Sequence, residues 1–262
     1  MKSFKNYIAL LGLSMVIFSC DHEENIVPEQ EINSLQIVAI DEEGLNISLL
    51  AQKPLEVGFN EMTLSIKNEN DNPISGQGDI VPMMDMSTMK HSCPIEFPAG
   101  MELINGHISF NTVFVMPSGD MGSWSLNISV GDKIIELPIE VAQPDQSRMA
   151  SLVSSSEDNE TKYFICLLDP LKPEVGQNDL QVAIFKKQSM MEWPAVENLE
   201  IKLTPWMPSM DHGSPNNINP AHVKDGHYMG KVNFTMTGTW QINLMLKKKE
   251  IELGETYFEI NF

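Results

Sequence analysis

The sequence predicts an all-β chain built from two tandem copies of one domain, and three observations carry that prediction. Short segments with alternating or β-rich patterning recur along the chain, bounded by Gly, Pro, Asn and Asp clusters at the spacing of a sandwich or barrel. The second half repeats landmarks of the first in order. No convincing amphipathic helix follows residue 20.

The strands are expected where branched and aromatic residues alternate with polar ones, because such side chains fit a pleated surface with one buried face. In the first half these are SLQIVAI, LNISLLA, EMTLSIKN, GHISFNTVFVM, WSLNISV and KIIELPIEV. In the second they are TKYFICLLD, DLQVAIFKK, LEIKLTP, YMGKVNFTM, TWQINLML and TYFEINF. PLEVGFNEMTLSI (54–66) lies against KPEVGQNDLQVAI (172–184). NGHISFNTVFVMPSGDMGSW lies against DGHYMGKVNFTMTGTW, pairing His107 with His227, Phe114 with Phe234, Met116 with Met236 and Trp124 with Trp240. The copies are read as 33–143 and 150–262, joined where AQPDQSRMASL loses strand patterning.

The start of the chain fixes the chemical environment. Basic Lys2 and Lys5 precede an apolar run from Tyr7 to Phe18, the layout of a secretory signal over 1–19. That run is shorter than the roughly 20 residues a membrane span needs. Ile17-Phe18-Ser19-Cys20 resembles a bacterial lipobox, which implies acylation of Cys20, a membrane partner reached through the lipid, and a polar tether over 20–32. In a bacterial chain the Asn-x-Ser/Thr matches at Asn46, Asn127, Asn159 and Asn233 are chance.

Charge excludes one class of partner. Seventeen basic residues stand against 36 acidic ones, for a net charge of -19, so nucleic acid would be repelled. Such acidity serves solubility and gives a field that mildly attracts cations.

The candidate chemistry lies in VPMMDMSTMKHSCP (81–94) and TPWMPSMDHGSP (204–215). A shift of 121 superposes Met86 on Met207, Met89 on Met210, His91 on His212 and Pro94 on Pro215. A thioether is soft, uncharged and has no proton to lose, so it suits Cu(I) where a free thiol would be oxidised. Histidine adds a firmer nitrogen ligand. Met86, Met89 and His91, with Met207, Met210 and His212, are therefore the predicted copper ligands, with Cu(I) favoured. A further ligand is expected from the neighbouring strand, Met116 or Met121 in the first copy and Met236 or Met229 in the second. Met83 and Met84 are assigned to packing, because methionine is a flexible core filler and the chain has 18 of them.

The remaining candidates are weaker. Cys93 is an optional thiolate for the first site, Cys166 inside YFICLL a buried hydrophobe, and a disulfide between them would have to meet tight geometry. His107 and His227 follow Asn-Gly and Asp-Gly, where a turn is the first reading and ligation by His227 the second. No Gly-x-Ser-x-Gly, His-Glu-x-x-His or phosphate-binding glycine loop is present, so no enzyme activity is expected.

PWMPSMDHGSP followed by DGHYMGKVNFTMTGTWQINL resembles the YtkA-like (FixH-related) extracytoplasmic domains, through Met207, Pro208, Met210 and His212, then Gly226 to Tyr228, then Gly238 and Trp240. The first copy resembles them more loosely, with Ser87 for Pro208 and Ile108 for Tyr228. The resemblance implies two immunoglobulin-like β-sandwiches outside the cytoplasmic membrane, with copper handling as the expected role and a firmer site in the second copy. Two functions follow: a copper-binding envelope lipoprotein that sequesters Cu(I) or exchanges it with a copper-accepting or copper-donating protein, or a non-catalytic module that binds protein or glycan and uses methionine as packing.

Overall fold

The computed structural model describes residues 34–154 and 160–262, so the signal and tether expectations, Cys20 included, lie outside the described residues. Two-residue turns lead into matching strands, at His107 and His227, in both halves of the fold. At Asn105-Gly106 and Asp225-Gly226 both residues adopt positive φ (51° and 78°, 50° and 77°), the primed turn whose twist matches the flanking strands. A Cβ on either glycine would lie 2.7 Å from a carbonyl oxygen, of Ile66 or Ile184, so only glycine lets the turn dock. The turn reading of the two histidine-preceding dipeptides therefore holds.

The first half forms β1 (Leu35–Glu42), β2 (Leu45–Ala51), β3 (Gly58–Asn68), β4 (Gly76–Asp85), β5 (Lys90–His91), β6 (Ile95–Glu96), β7 (Glu102–Leu103), β8 (His107–Phe114), β9 (Ser123–Val130) and β10 (Lys133–Ile139). One sheet runs β1-β2-β3-β8-β6 and the other β10-β9-β4-β5, with β7 added beside β4. Period-two alternation dictates which face is buried: in β2, Leu45, Ile47, Leu49 and Ala51 point inward and the residues between them are less buried. These inward residues meet Ile80, Met84, Trp124, Leu126, Ile128, Ile135 and Leu137 of the other sheet in one core. That shared core makes the pair of sheets a β-sandwich.

The second half repeats the plan with β11 (Met149–Ser154), β12 (Thr161–Asp169), β13 (Gly176–Lys186), β14 (Glu200–Met207), β15 (His212–Gly213), β16 (Ile218–Lys224), β17 (His227–Phe234), β18 (Thr239–Lys248) and β19 (Ile251–Asn261). Its sheets run β11-β12-β13-β17-β16 and β15-β14-β18-β19. They enclose a second core around Trp240, Tyr228, Phe234 and Leu244. The repeat extends to single hydrogen bonds. In the first sandwich the Asn60 amide donates to Glu56 O and Gly58 O (2.7 and 2.8 Å) while its Oδ1 accepts the Glu56 N–H (3.1 Å). Asn178 makes the same three bonds to Glu174 and Gly176 at 2.8, 2.9 and 2.9 Å.

Residues 34–262 fall within one compact unit, and a third apolar cluster shows why. Val113 of β8 packs with Cys166, Ala183 and Phe185 of β12 and β13, flanked by Phe59, Leu168 and Ala195. From Tyr163 to Leu167 every residue of β12 is buried, because one face serves the second core and the other serves the first sandwich. Cys93 and Cys166 are both buried free thiols, so the pair forms no disulfide.

Candidate functional site

Strand register corrects the expected pairing of the two methionine segments. In the first sandwich Met84 lies opposite His91 across β4 and β5, and opposite Trp124 across β4 and β9. In the second, Met207 lies opposite His212 across β14 and β15, and Trp206 opposite Gln241 across β14 and β18. Met207 therefore corresponds to Met84, not Met86, because the β4–β5 hairpin is two residues longer. Both side chains are core residues, at 0% and 2% exposure. A Cβ on Gly122 would fall 2.7 Å from the Met84 sulfur, and one on Gly238 3.2 Å from the Met207 methyl, so a glycine makes room for the methionine in each copy. The signal for this pairing was in the sequence: Pro82-Met83-Met84 and Pro205-Trp206-Met207 share Pro-x-Met, in the inward phase of each strand.

A directly opposed pair on antiparallel strands shares one face of the sheet. Met84 with His91, and Met207 with His212, are thus neighbours, and an indole lies beside each histidine. His91 meets Trp124 at 5.5 Å between ring centroids, edge to face at 87°; His212 meets Trp240 at 5.5 Å and 80°. Each indole also fixes the neighbouring strand end: Trp124 Nε1–H donates to Met116 O (2.9 Å) and Trp240 Nε1–H to Met236 O (3.0 Å).

Histidine protonation follows from its partners. His91 Nδ1 is 2.7 Å from the carbonyl of Ser92, which can only accept, so Nδ1 carries the proton. A neutral ring then presents a bare Nε2, and that atom lies 3.4 Å from the Met116 sulfur. Both atoms are acceptors. At that distance they are in van der Waals contact, with room for a hydrogen between them if the ring is protonated at Nε2. Ligands about 2.0 and 2.3 Å from a tetrahedral ion stand about 3.5 Å apart, a spacing that this pair shares with an ordinary N–H···S hydrogen bond. His212 repeats the tautomer, donating from Nδ1 to Gly213 O at 2.7 Å.

The other predicted ligands are placed differently. Met89 and Met210 sit in the hairpin turns at 44% and 58% exposure, because their backbones close the turn: Met89 O accepts the Met86 N–H (2.9 Å) and Met210 N–H donates to Met207 O (3.2 Å). Met86 packs against the first core. Met236, Met121 and Met229 are exposed. Cys93 is buried in the first core, where desolvation pushes its thiol well above the ordinary value, so it supplies no ready thiolate.

His227 belongs to another constellation. The Gln181 amide donates to its Nδ1 (3.0 Å), and its Nε2–H donates to Glu96 Oε1 across the two sandwiches (2.9 Å). Asn111 completes this ladder by donating to Glu96 Oε2 (3.2 Å). Both ring nitrogens are thereby engaged. His227 also stands at the far end of β17 from Phe234, whose ring meets Trp240, which puts it roughly 23 Å along the strand from the methionine site.

Among the described residues no group of three or more His, Cys, Asp or Glu gathers to hold an ion, so any metal here depends on thioethers. Sequence resemblance favours the second copy as the firmer site. The two histidines differ in setting: His91 is 7% exposed with a sulfur at hand, whereas His212 is half-buried and Met236 is exposed.

Comparisons with known proteins complete the description. No curated protein matches the chain. Among solved structures, it is similar to domains 5–6 of the S-layer protein SbsC (12% identity over 87% of this chain and 99% of that one, TM-score 0.28). It is also similar to the Escherichia coli adhesin FdeC (11% identity, 87% of this chain and 65% of that one, TM-score 0.28). The bacterial integrin-binding protein invasin matches at 10% identity over 83% of this chain and 39% of its own, TM-score 0.26. Residues 157–245, from just before β12 into β18, match the family model described as YtkA-like, so the similarity to that family falls within the second sandwich.

Proposed function

We propose that the protein is an extracytoplasmic copper-binding lipoprotein of the bacterial envelope that sequesters Cu(I) or passes it to a partner, with the first sandwich as its principal site. The observation that carries this reading is the His91 Nε2 to Met116 Sδ contact at 3.4 Å, with the ring proton already committed to Ser92 O. Two neutral soft donors facing one another, with Met84 opposite His91, fit a soft monovalent ion better than a hard divalent one.

The residues divide the work by their surroundings. Ser92 O holds the imidazole in the tautomer that leaves Nε2 available, and an outer partner of this kind also raises the basicity of the ligand nitrogen. Trp124 fixes Met116 through its carbonyl, and its ring flanks His91. Neutral ligands hold Cu(I) without a charge to neutralise on release, which suits exchange with a copper-accepting envelope protein. The lipid on Cys20 would keep that exchange at the membrane. Neither step requires catalysis.

The test is anaerobic Cu(I) titration of the two-sandwich protein against a competing chelator, with His91→Ala and Met116→Leu variants beside the wild type. Loss of competition in both variants is expected. Equal behaviour of all three would leave the methionines as packing, as the core positions of Met84 and Met207 allow, and the protein as a non-catalytic binding module.

A further inference from the structure

The copper reading treats the first site as a property of the first sandwich, but part of its enclosure comes from the second. His91 has another indole beside it besides Trp124: Trp193, at 6.2 Å and 50°. Trp193 lies in the segment between β13 and β14, and that segment is folded on itself. Gln188 and Ser189 N–H donate to Glu192 O (3.0 and 3.2 Å). Ser189 Oγ accepts the N–H of Met191 and Glu192 (3.2 and 3.0 Å), and Trp193 Nε1–H donates to Met190 O (3.3 Å). The indole is steadied by an edge contact with Phe164 at 5.2 Å.

The same Met190 carbonyl accepts the N–H of Ser92 at 2.8 Å, across the two sandwiches. Ser92 is therefore gripped at both ends. Its N–H is bound by the second sandwich, and its carbonyl is bound by the His91 ring. Whatever fixes the orientation of His91 fixes Ser92, and whatever docks residues 188–193 fixes Ser92 as well. His212, flanked by Trp240, stays half-buried where His91 is buried.

Resting on the copper reading, we propose that the first site is a two-sandwich site: Met190 O and Trp193 of the second sandwich close it, and holding a soft monovalent ion at His91 and Met116 is coupled to docking of residues 188–193. The coupling is reciprocal, so the ion tightens the docking by the same factor that docking tightens the ion. Undocking is then the step that opens the ion to an accepting partner.

The experiment uses the two-sandwich protein with Cu(I), and Ag(I) as a redox-inert probe. In a His212→Ala background, which isolates the first site, Trp193→Ala weakens ion binding by about tenfold or more, the scale of losing an outer support of a metal-binding histidine. Trp193→Phe keeps most of the affinity. In a His91→Ala background Trp193→Ala has no effect. In the unmodified protein, hydrogen exchange at the Ser92 amide slows on saturation with Ag(I) by about the same factor. If the His212→Ala protein binds and Trp193→Ala binds equally, with no change in Ser92 exchange, the coupling is overturned and the copper reading stands. If the His212→Ala protein binds no ion, the copper reading of the first site falls and the coupling falls with it.

Discussion

Asn60 and Asn178 offer a measurement in which the protein supplies its own control. Each makes three bonds that close the turn leading into its strand, with lengths that agree within 0.2 Å between copies. They differ in surroundings: Asn60 is 4% exposed and Asn178 is half-buried. Asn60→Ala removes three bonds worth about 1 kcal/mol each and strands a donor and two acceptors away from water, for a loss of about 3 kcal/mol. Asn178→Ala removes the same bonds where water replaces them, for a loss of about 1 kcal/mol. The assay is urea unfolding followed by tryptophan emission. With a slope of about 2 kcal/mol per molar, the two midpoints separate by about 1 M. A cost for Asn178→Ala equal to or above that for Asn60→Ala would refute the argument that burial, not bond count, sets the value of the clamp.

Other outcomes follow from the placement of individual groups. Met116→Leu lowers Cu(I) affinity by about tenfold or more, while Met89→Leu and Met210→Leu, in exposed turns, change it less than about twofold in the same chelator competition. His227→Gln leaves Cu(I) stoichiometry unchanged but costs about 1.5 kcal/mol in denaturant titration, through the bond to Glu96 that joins the sandwiches. Burial raises the pKa of both Cys93 and Cys166, so the thiolate fraction at pH 8 to 9 falls below that of an exposed cysteine. Alkylation, followed by mass, stays negligible across that window and becomes complete only in denaturant.

Much of the fold was legible because its signals are local. The apolar-polar alternation in LNISL is the burial pattern of the first five residues of β2, and the Asn-Gly and Asp-Gly turns carry the positive φ that such dipeptides favour. The tryptophan repeat was also legible, since Trp124 and Trp240 hold the same carbonyls in each copy. The site was half legible. Anchoring the comparison on the two histidines placed Met86 where strand register places Met84, because the extra length sits inside a hairpin that an ungapped alignment cannot see. Of the two extra candidates in the first half, Met116 and Met121, the fold brings the Met116 sulfur, just past the end of β8, beside His91 and leaves Met121 exposed. Trp193 carried no signal at all. Its meeting with His91 spans about a hundred residues and depends on how one sandwich docks on the other, which no local pattern encodes.

The cluster of Val113, Cys166, Ala183 and Phe185 has a consequence for any attempt to study the sandwiches apart. A second sandwich cut free at the linker would turn Cys166, Ala183 and Phe185 toward water along two central strands. It would then carry a sticky flank and an exposed thiol that the intact chain never displays. The first sandwich is in this sense a permanent escort for the second, and fragments made to isolate one copy would report the chemistry of that uncovered flank instead of the chemistry of the protein.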